Sequence, residues 1–281
     1  MNLRPGIPLQ SDLDALQRDP LYAQHTSYNQ RFLESNGKAL SGYGKLWGQN
    51  PFRMWSRRWE YPFVIQKVLD FAHTQDGRPL KMLDGGSGVT YVPYYLCDEV
   101  PNLSVICCDT NTSYDPMFKA INANLGHDRV TFQEAMLQKL PYTDGGLDIV
   151  ACISVLEHTD NYEQIINEFA RVLRPGGLLV LTFDLSLDGK FTLSRETAAT
   201  LLKSVEKHFE PQQDLALAAE LGKMDDKRQI LNTEHVRETS PDLLPWRFPL
   251  LKGVHDLLHG HGWTGGFRSK SVFCLSALRK A

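Results

Sequence analysis

The feature that most constrains this chain is an alternation running from about residue 79 to residue 185. Short β-branched or apolar runs are separated by helical patterns, the signature of a parallel α/β sheet. The runs predict strands over 81–83, 104–108, 130–132, 148–152 and 178–183, with helices over 92–100, 115–125 and 161–173. Thr90 is the predicted N-cap of the first helix, with Pro93 in its opening turn, where a missing N–H costs little. Gly126 is a left-handed stop for the second helix, and the "RPGG" of Arg174, Pro175, Gly176 and Gly177 is a turn into the next strand.

Two stretches fall outside this rhythm. Residues 1–78 show no strand signal but contain helical pieces, notably 51–72, with Trp47, Trp55 and Trp59 close together. Residues 186–266 hold helical patterns near 194–208, 215–224 and 248–259, and a last strand is predicted over 271–278. The organisation predicted is a helical N-terminal lid over 1–78 and an α/β core over 79–281, with an insertion at about 211–266 on the substrate side.

Composition narrows the partners. The net charge of −3 argues against nucleic acid, whose binding needs clustered positive charge. The one dense basic group, Arg53, Arg57 and Arg58, is interleaved with aromatics. Five cysteines, odd in number and mostly in apolar runs, read as buried thiols of a cytoplasmic protein; no metal site is expected. No apolar run approaches the roughly 20 residues that span a bilayer, and "MNLRPGIPLQ" lacks a signal-peptide core.

The sharpest local signal is "KMLDGGSGVT", residues 81–90: a strand end, Asp84, then Gly85, Gly86, Ser87 and Gly88. A tight strand-to-helix turn would explain the glycines, and so would a cofactor loop at the carboxyl end of the first strand. A nicotinamide fingerprint would place a third glycine where Tyr91 stands, and no lysine with Ser/Thr follows as in a phosphate-binding P-loop. An acid directly before the turn suits a ligand with a cationic end better than a pyrophosphate.

"LDGGSG", then "VICCDTN", then "LPYTDGGLDIVACISVLEH", then "EFARVLRPGGLLVLTF" resemble the class I S-adenosylmethionine (SAM)-dependent methyltransferases, especially the small-molecule and quinone C-methyltransferases. The resemblance covers roughly 81–185, with every motif in order. It implies a Rossmann-like, mostly parallel seven-stranded sheet with helices on both faces, and SAM as cofactor. In that family pattern Asp109 and Thr110 end the second strand, where a carboxylate accepts hydrogen bonds from a ribose diol. Gly85, Gly86, Ser87 and Gly88 admit the ligand to the backbone, and Asp84 attracts its ammonium. Met136 stands where relatives carry an acid. Adenine recognition is therefore left to backbone at Met136 and Leu137, with Met136 on the ring, or to Glu134 in a shifted register. Ile153 and Ser154 open the segment that contacts the methionine part. His158 is the candidate base or substrate-orienting group, against a bracing role for the following helix.

In the lid, the resemblance leads one to expect Arg58 or Tyr61 to meet the SAM carboxylate, Glu60 to face the substrate, and Tyr43 to close over the ligand from the glycine-punctuated stretch 41–48. Plain packing of this helix, with Trp59 and Phe63 in the core, is compatible with that role, since a packed helix can still present one polar face. "HDLLHGH" (His255 to His261) looks superficially like a zinc motif but has Asp for Glu and no evident third ligand; with His235 it reads as packing or cavity lining. The expected activity is methyl transfer to an O, N or C nucleophile of a small molecule. A macromolecular or lipid methyltransferase and a SAM-binding protein with other chemistry stand as alternatives.

Overall fold

The computed structural model describes residues 2–44, 50–190, 192–212, 215–244, 248–259 and 266–281; Trp47, the end of the 41–48 stretch and His261 lie outside them. Its helices are α1 (Gln10–Arg18), α2 (Pro20–Asn36), α3 (Arg57–His73), α4 (Val92–Glu99), α5 (Asp115–Leu125), α6 (Tyr162–Val172), α7 (Arg195–His208), α8 (Leu217–Gly222), α9 (Thr233–Thr239) and α10 (Pro249–Leu258). Its strands are β1 (Leu80–Gly85), β2 (Leu103–Asp109), β3 (Val130–Glu134), β4 (Leu147–Ile153), β5 (Leu173–Ser186), β6 (Phe209–Pro211) and β7 (Lys270–Arg279).

The strands form one seven-stranded sheet in the order β3-β2-β1-β4-β5-β7-β6. Pairings from β3 to β5 are parallel, while β7 runs antiparallel to β5 and β6. The chain order reverses between β1 and β4, so the loops after β1, β2 and β4 open on one crevice, where a ligand fits a sheet of this kind. Apolar residues pack on both faces. One cluster joins Phe63, Tyr95, Val105 and Val180; the other joins Leu83, Phe169, Leu181 and Phe273.

Local chemistry explains most boundaries. Asp19 caps α2 by accepting from Leu21 N at 2.9 Å, with Pro20 in the first turn. Ser194 caps α7 in the same way. Gly126 ends α5 at φ 63° in the left-handed region, as its sequence position predicts. Thr90 does not cap α4: Tyr91 already has helical angles at the cap position, and Thr90 lines the crevice instead. The "RPGG" stretch is not a turn between elements either. It belongs to β5 as an irregularity between the Leu147–Leu173 and Ile149–Leu178 pairs. A Cβ on Gly177 would lie 2.9 Å from the Asp148 carbonyl, and Arg174 clasps Asp148 at 2.7 Å, so the glycine admits a close backbone approach within the sheet.

The N-terminal residues are tied into the same body. Gly6 and Cys274 exchange backbone hydrogen bonds of 2.6 and 3.0 Å, extending the sheet beyond the three residues of β6. Helix α3 lies against β4, β5 and β7 with Trp59 and Phe63 in the core. All five cysteines are buried free thiols. No helix among the described residues is long and apolar enough to cross a membrane.

Candidate functional site

A cavity of about 520 Å³ opens at the carboxyl ends of β1, β2 and β4. Its floor is the glycine turn. Gly86 (φ 72°) and Gly88 (φ 52°) are both left-handed. A Cβ on Gly86 would stand 2.4 Å from Val155 Cγ2, and one on Gly88 would stand 2.2 Å from the Tyr43 hydroxyl. Only glycine keeps this cradle open. The Gly86 and Ser87 amides donate to the Cys108 carbonyl at 2.7 and 3.0 Å, fastening the turn to β2. Gly85 is outside the lining; its missing side chain leaves room for Leu137.

Asp109 ends β2 at the cavity edge. One carboxyl oxygen accepts from Asn111 N at 3.0 Å and the other from Gly88 N at 3.4 Å, which aims the group across the glycine turn. Asp84 also lines the cavity but is only 3% exposed. Burial, and then the charge of Asp109, pushes its pKa up to about 7. A cationic ligand group beside it would relieve both effects.

Thr110, Met136, Leu137, Ile153, Ser154 and His158 also line the cavity, so the loops after β1 to β4 bring most of the proposed ligand residues together. Met136 is 61% exposed, a large apolar side chain held out at the mouth. Glu134 is not among the lining residues. His158 is exposed on its 3-10 turn; partial burial of its ring lowers its pKa, against the opposing pull of Asp184. Beside it, the Glu157 carboxyl is buried, and burial together with Asp184 drives its pKa well above the ordinary value.

The N-terminal segment supplies the remaining wall: Tyr43, Arg57 and Tyr61, with Tyr43 edge-on to Tyr114 at 5.4 Å. Two expectations are corrected here. Arg58 points away and donates to the Tyr22 hydroxyl at 3.0 Å; Arg57 takes the cavity position. The reason is helical geometry, since Tyr61 shares its face with the residue four positions earlier. Glu60 does not face the cavity: it is 0% exposed, accepting hydrogen bonds from Ser154 Oγ at 2.6 Å and Thr182 Oγ1 at 2.5 Å, and pairing with Arg57. Burial opposes its ionisation, but Arg57 and these hydroxyls hold its pKa below the ordinary value.

Tyr114, Gln138, Val155 and Thr159 also line the cavity; no chemical feature of the sequence singles them out, although Val155 stands inside the "ISVLEH" stretch. Tyr91 lies behind the wall, buried with Phe52 and Tyr61 at centroid distances of 5.9 Å. No described residue between 211 and 259 lines the cavity, His235, His255 and His259 included. Among the described residues there is no group of three or more His, Cys, Asp or Glu placed to hold a metal ion.

Residues 83–181 match the family model described as methyltransferase domain. The chain is 32% identical over 121 residues to methyltransferase GfsG of Streptomyces halstedii, covering 42% of this chain and 43% of that protein. It is 29% identical over 242 residues to norajmaline N-methyltransferase of Rauvolfia serpentina, covering 78% and 77% of the two. A solved structure of geranyl diphosphate methyltransferase in complex with SAM superposes with a TM-score of 0.53 at 15% identity, over 79% of this chain and 86% of that one. The match spans less than half the length of GfsG, and the structural likeness speaks for the fold.

Proposed function

Because the chain belongs to the class I SAM-dependent methyltransferases, we propose that its cavity binds SAM and that the protein transfers a methyl group to an O, N or C nucleophile of a small molecule. The observation that carries this reading is the pairing of a carboxylate at the end of β2 with a backbone cradle that only glycine can form. The donor set fits the cofactor. Asp109 offers acceptors to a ribose diol, and Met136 and Leu137 offer an apolar surface with backbone groups to an adenine. Asp84 and Arg57 give opposite charges for an amino-acid zwitterion. A pyrophosphate on the glycine turn would meet Asp84 as repulsion, and Tyr91 stands where a dinucleotide turn needs its third glycine; both disfavour a dinucleotide.

Bound SAM supplies a methyl group already activated by its positively charged sulfur. The protein's work is then alignment and exclusion of water. Tyr43, Arg57 and Tyr61 form a cap contributed by residues 1–78, while Val155, His158 and Thr159 border the acceptor side. His158, held neutral by a lowered pKa, has a lone pair available at neutral pH to take a proton from an O–H or N–H nucleophile. A carbon nucleophile with no proton to lose would leave it an orienting role.

A compact acceptor is favoured by a cavity of about 520 Å³ and by the net negative charge, which offers nucleic acid no electrostatic footprint. The relative named as norajmaline N-methyltransferase supports the same class. The buried thiols fit a reducing, cytoplasmic setting. The test is transfer of labelled methyl from SAM into fractionated metabolites, RNA and protein. Label in the metabolite fraction is expected; label confined to macromolecules would overturn the substrate class.

A further inference from the structure

Glu60 has no place in the cavity wall, yet its carboxylate is the meeting point of three elements. It projects from α3 and accepts from Ser154, just beyond β4, at 2.6 Å and from Thr182, within β5, at 2.5 Å. Its other oxygen pairs with Arg57, one turn earlier on α3. Arg57 Nη1 also donates to Ser154 Oγ at 2.7 Å, so the serine hydroxyl accepts from the arginine and donates to the glutamate. All four side chains are buried.

Only an acceptor at every lone pair satisfies this set of donors, and an ionised carboxylate is such a group. A neutral amide of the same shape would turn an N–H toward a donor and leave the buried guanidinium charge uncompensated. Arg57 and Ser154 line the cavity, whereas Glu60 and Thr182 stand behind them. Ser154 also sits at φ 51°, a left-handed conformation that a serine keeps only where its surroundings fix it.

The position along the cavity matters. Asp84 pairs in register with Ala151, three residues before Ser154, and Arg57 donates to Ser154, so the opposite charges both lie on the β1–β4 side of the cavity. Asp109, Thr110 and Met136 come from the loops after β2 and β3.

We propose that Glu60 is a positioning residue for the amino-acid end of the cofactor site. It fixes the Arg57 guanidinium and the Ser154 turn, and so selects ligands that carry an α-amino-carboxylate over otherwise identical ones that lack it. The proposal rests on the SAM reading of the cavity.

The test compares two ligands by calorimetry: S-adenosylhomocysteine, and 5′-methylthioadenosine, which keeps adenine, ribose and sulfur but has no amino-acid tail. Glu60→Gln is expected to weaken S-adenosylhomocysteine at least tenfold and to change 5′-methylthioadenosine less than twofold. Arg57→Gln should show the same split, and the double variant should be no worse than the weaker single one, because the two act as a unit. Equal losses for both ligands would make Glu60 a brace of the fold alone and overturn the proposal, as would no loss for either. If Glu60→Gln does not fold, Thr182→Val removes one hydrogen bond at nearly constant volume and carries the same comparison. Wild-type protein that binds neither ligand would refute the SAM site itself before any variant is made, and this inference with it.

Discussion

Gly86→Ala isolates the geometry on which the site depends. Its cost has two separable parts. The residue holds φ 72°, and a left-handed conformation costs an L-residue about 1–2 kcal/mol. The new Cβ would also lie 2.4 Å from Val155 Cγ2 and 2.9 Å from Cγ1, deep inside van der Waals contact with a β-branched side chain. Relieving such overpacking typically costs a further ~1–3 kcal/mol. Gly86→Ala should therefore destabilise the protein by roughly 2–5 kcal/mol in urea denaturation. It should also weaken SAM binding, since both residues line the cavity. Adding Val155→Ala removes both clashing methyls and leaves only the Val155 Cβ at 3.2 Å. The double variant should recover the overpacking part but not the conformational part, giving a favourable coupling of about 1–3 kcal/mol. Coupling within about 0.5 kcal/mol of zero would mean that the glycine turn and the loop after β4 do not meet as described.

Two further outcomes follow from the charged groups. Asp84 binds a proton more tightly in the folded protein than in the unfolded chain, because burial and Asp109 raise its pKa from 3.8 to about 7. Its contribution to apoprotein stability should fall as pH rises between about 4 and 7, and a cationic ligand should expel its proton near pH 6. Calorimetry of S-adenosylhomocysteine binding in buffers of different ionisation enthalpy should detect that proton in the wild type and not in Asp84→Asn; an identical proton count would place the linkage elsewhere. His158→Ala should lower turnover on an O–H or N–H acceptor by roughly 10²–10⁴-fold while leaving cofactor affinity unchanged. Undiminished turnover on such an acceptor would reduce His158 to a brace for the next helix.

The parts of this account that were legible in the sequence are those whose physics is local. Gly86, Gly88 and Asp109 sit at strand ends set by apolar runs, and the helix over Asp115–Leu125 is bounded by a left-handed glycine. Arg57 was within reach as well, because helical spacing from Tyr61 selects it over Arg58. The Glu60 network was not legible: Ser154 and Thr182 are 94 and 122 positions away, and a carboxylate in a helical pattern reads as solvated until the fold buries it. β6 gives no sequence signal because its three residues carry no periodicity, and "RPGG" reads as a turn because a bulge within a sheet uses the same glycines.

On this reading the cavity is a SAM site anchored on Asp109. Titration calorimetry of wild type and Asp109→Ala with S-adenosylhomocysteine, alongside NAD, tests it most directly. Wild type should bind one S-adenosylhomocysteine per chain and no NAD. The variant should lose about 1–3 kcal/mol, roughly 5- to 150-fold in affinity, through the missing charged hydrogen bonds. Binding of NAD in place of S-adenosylhomocysteine, or an affinity unmoved by Asp109→Ala, would contradict it.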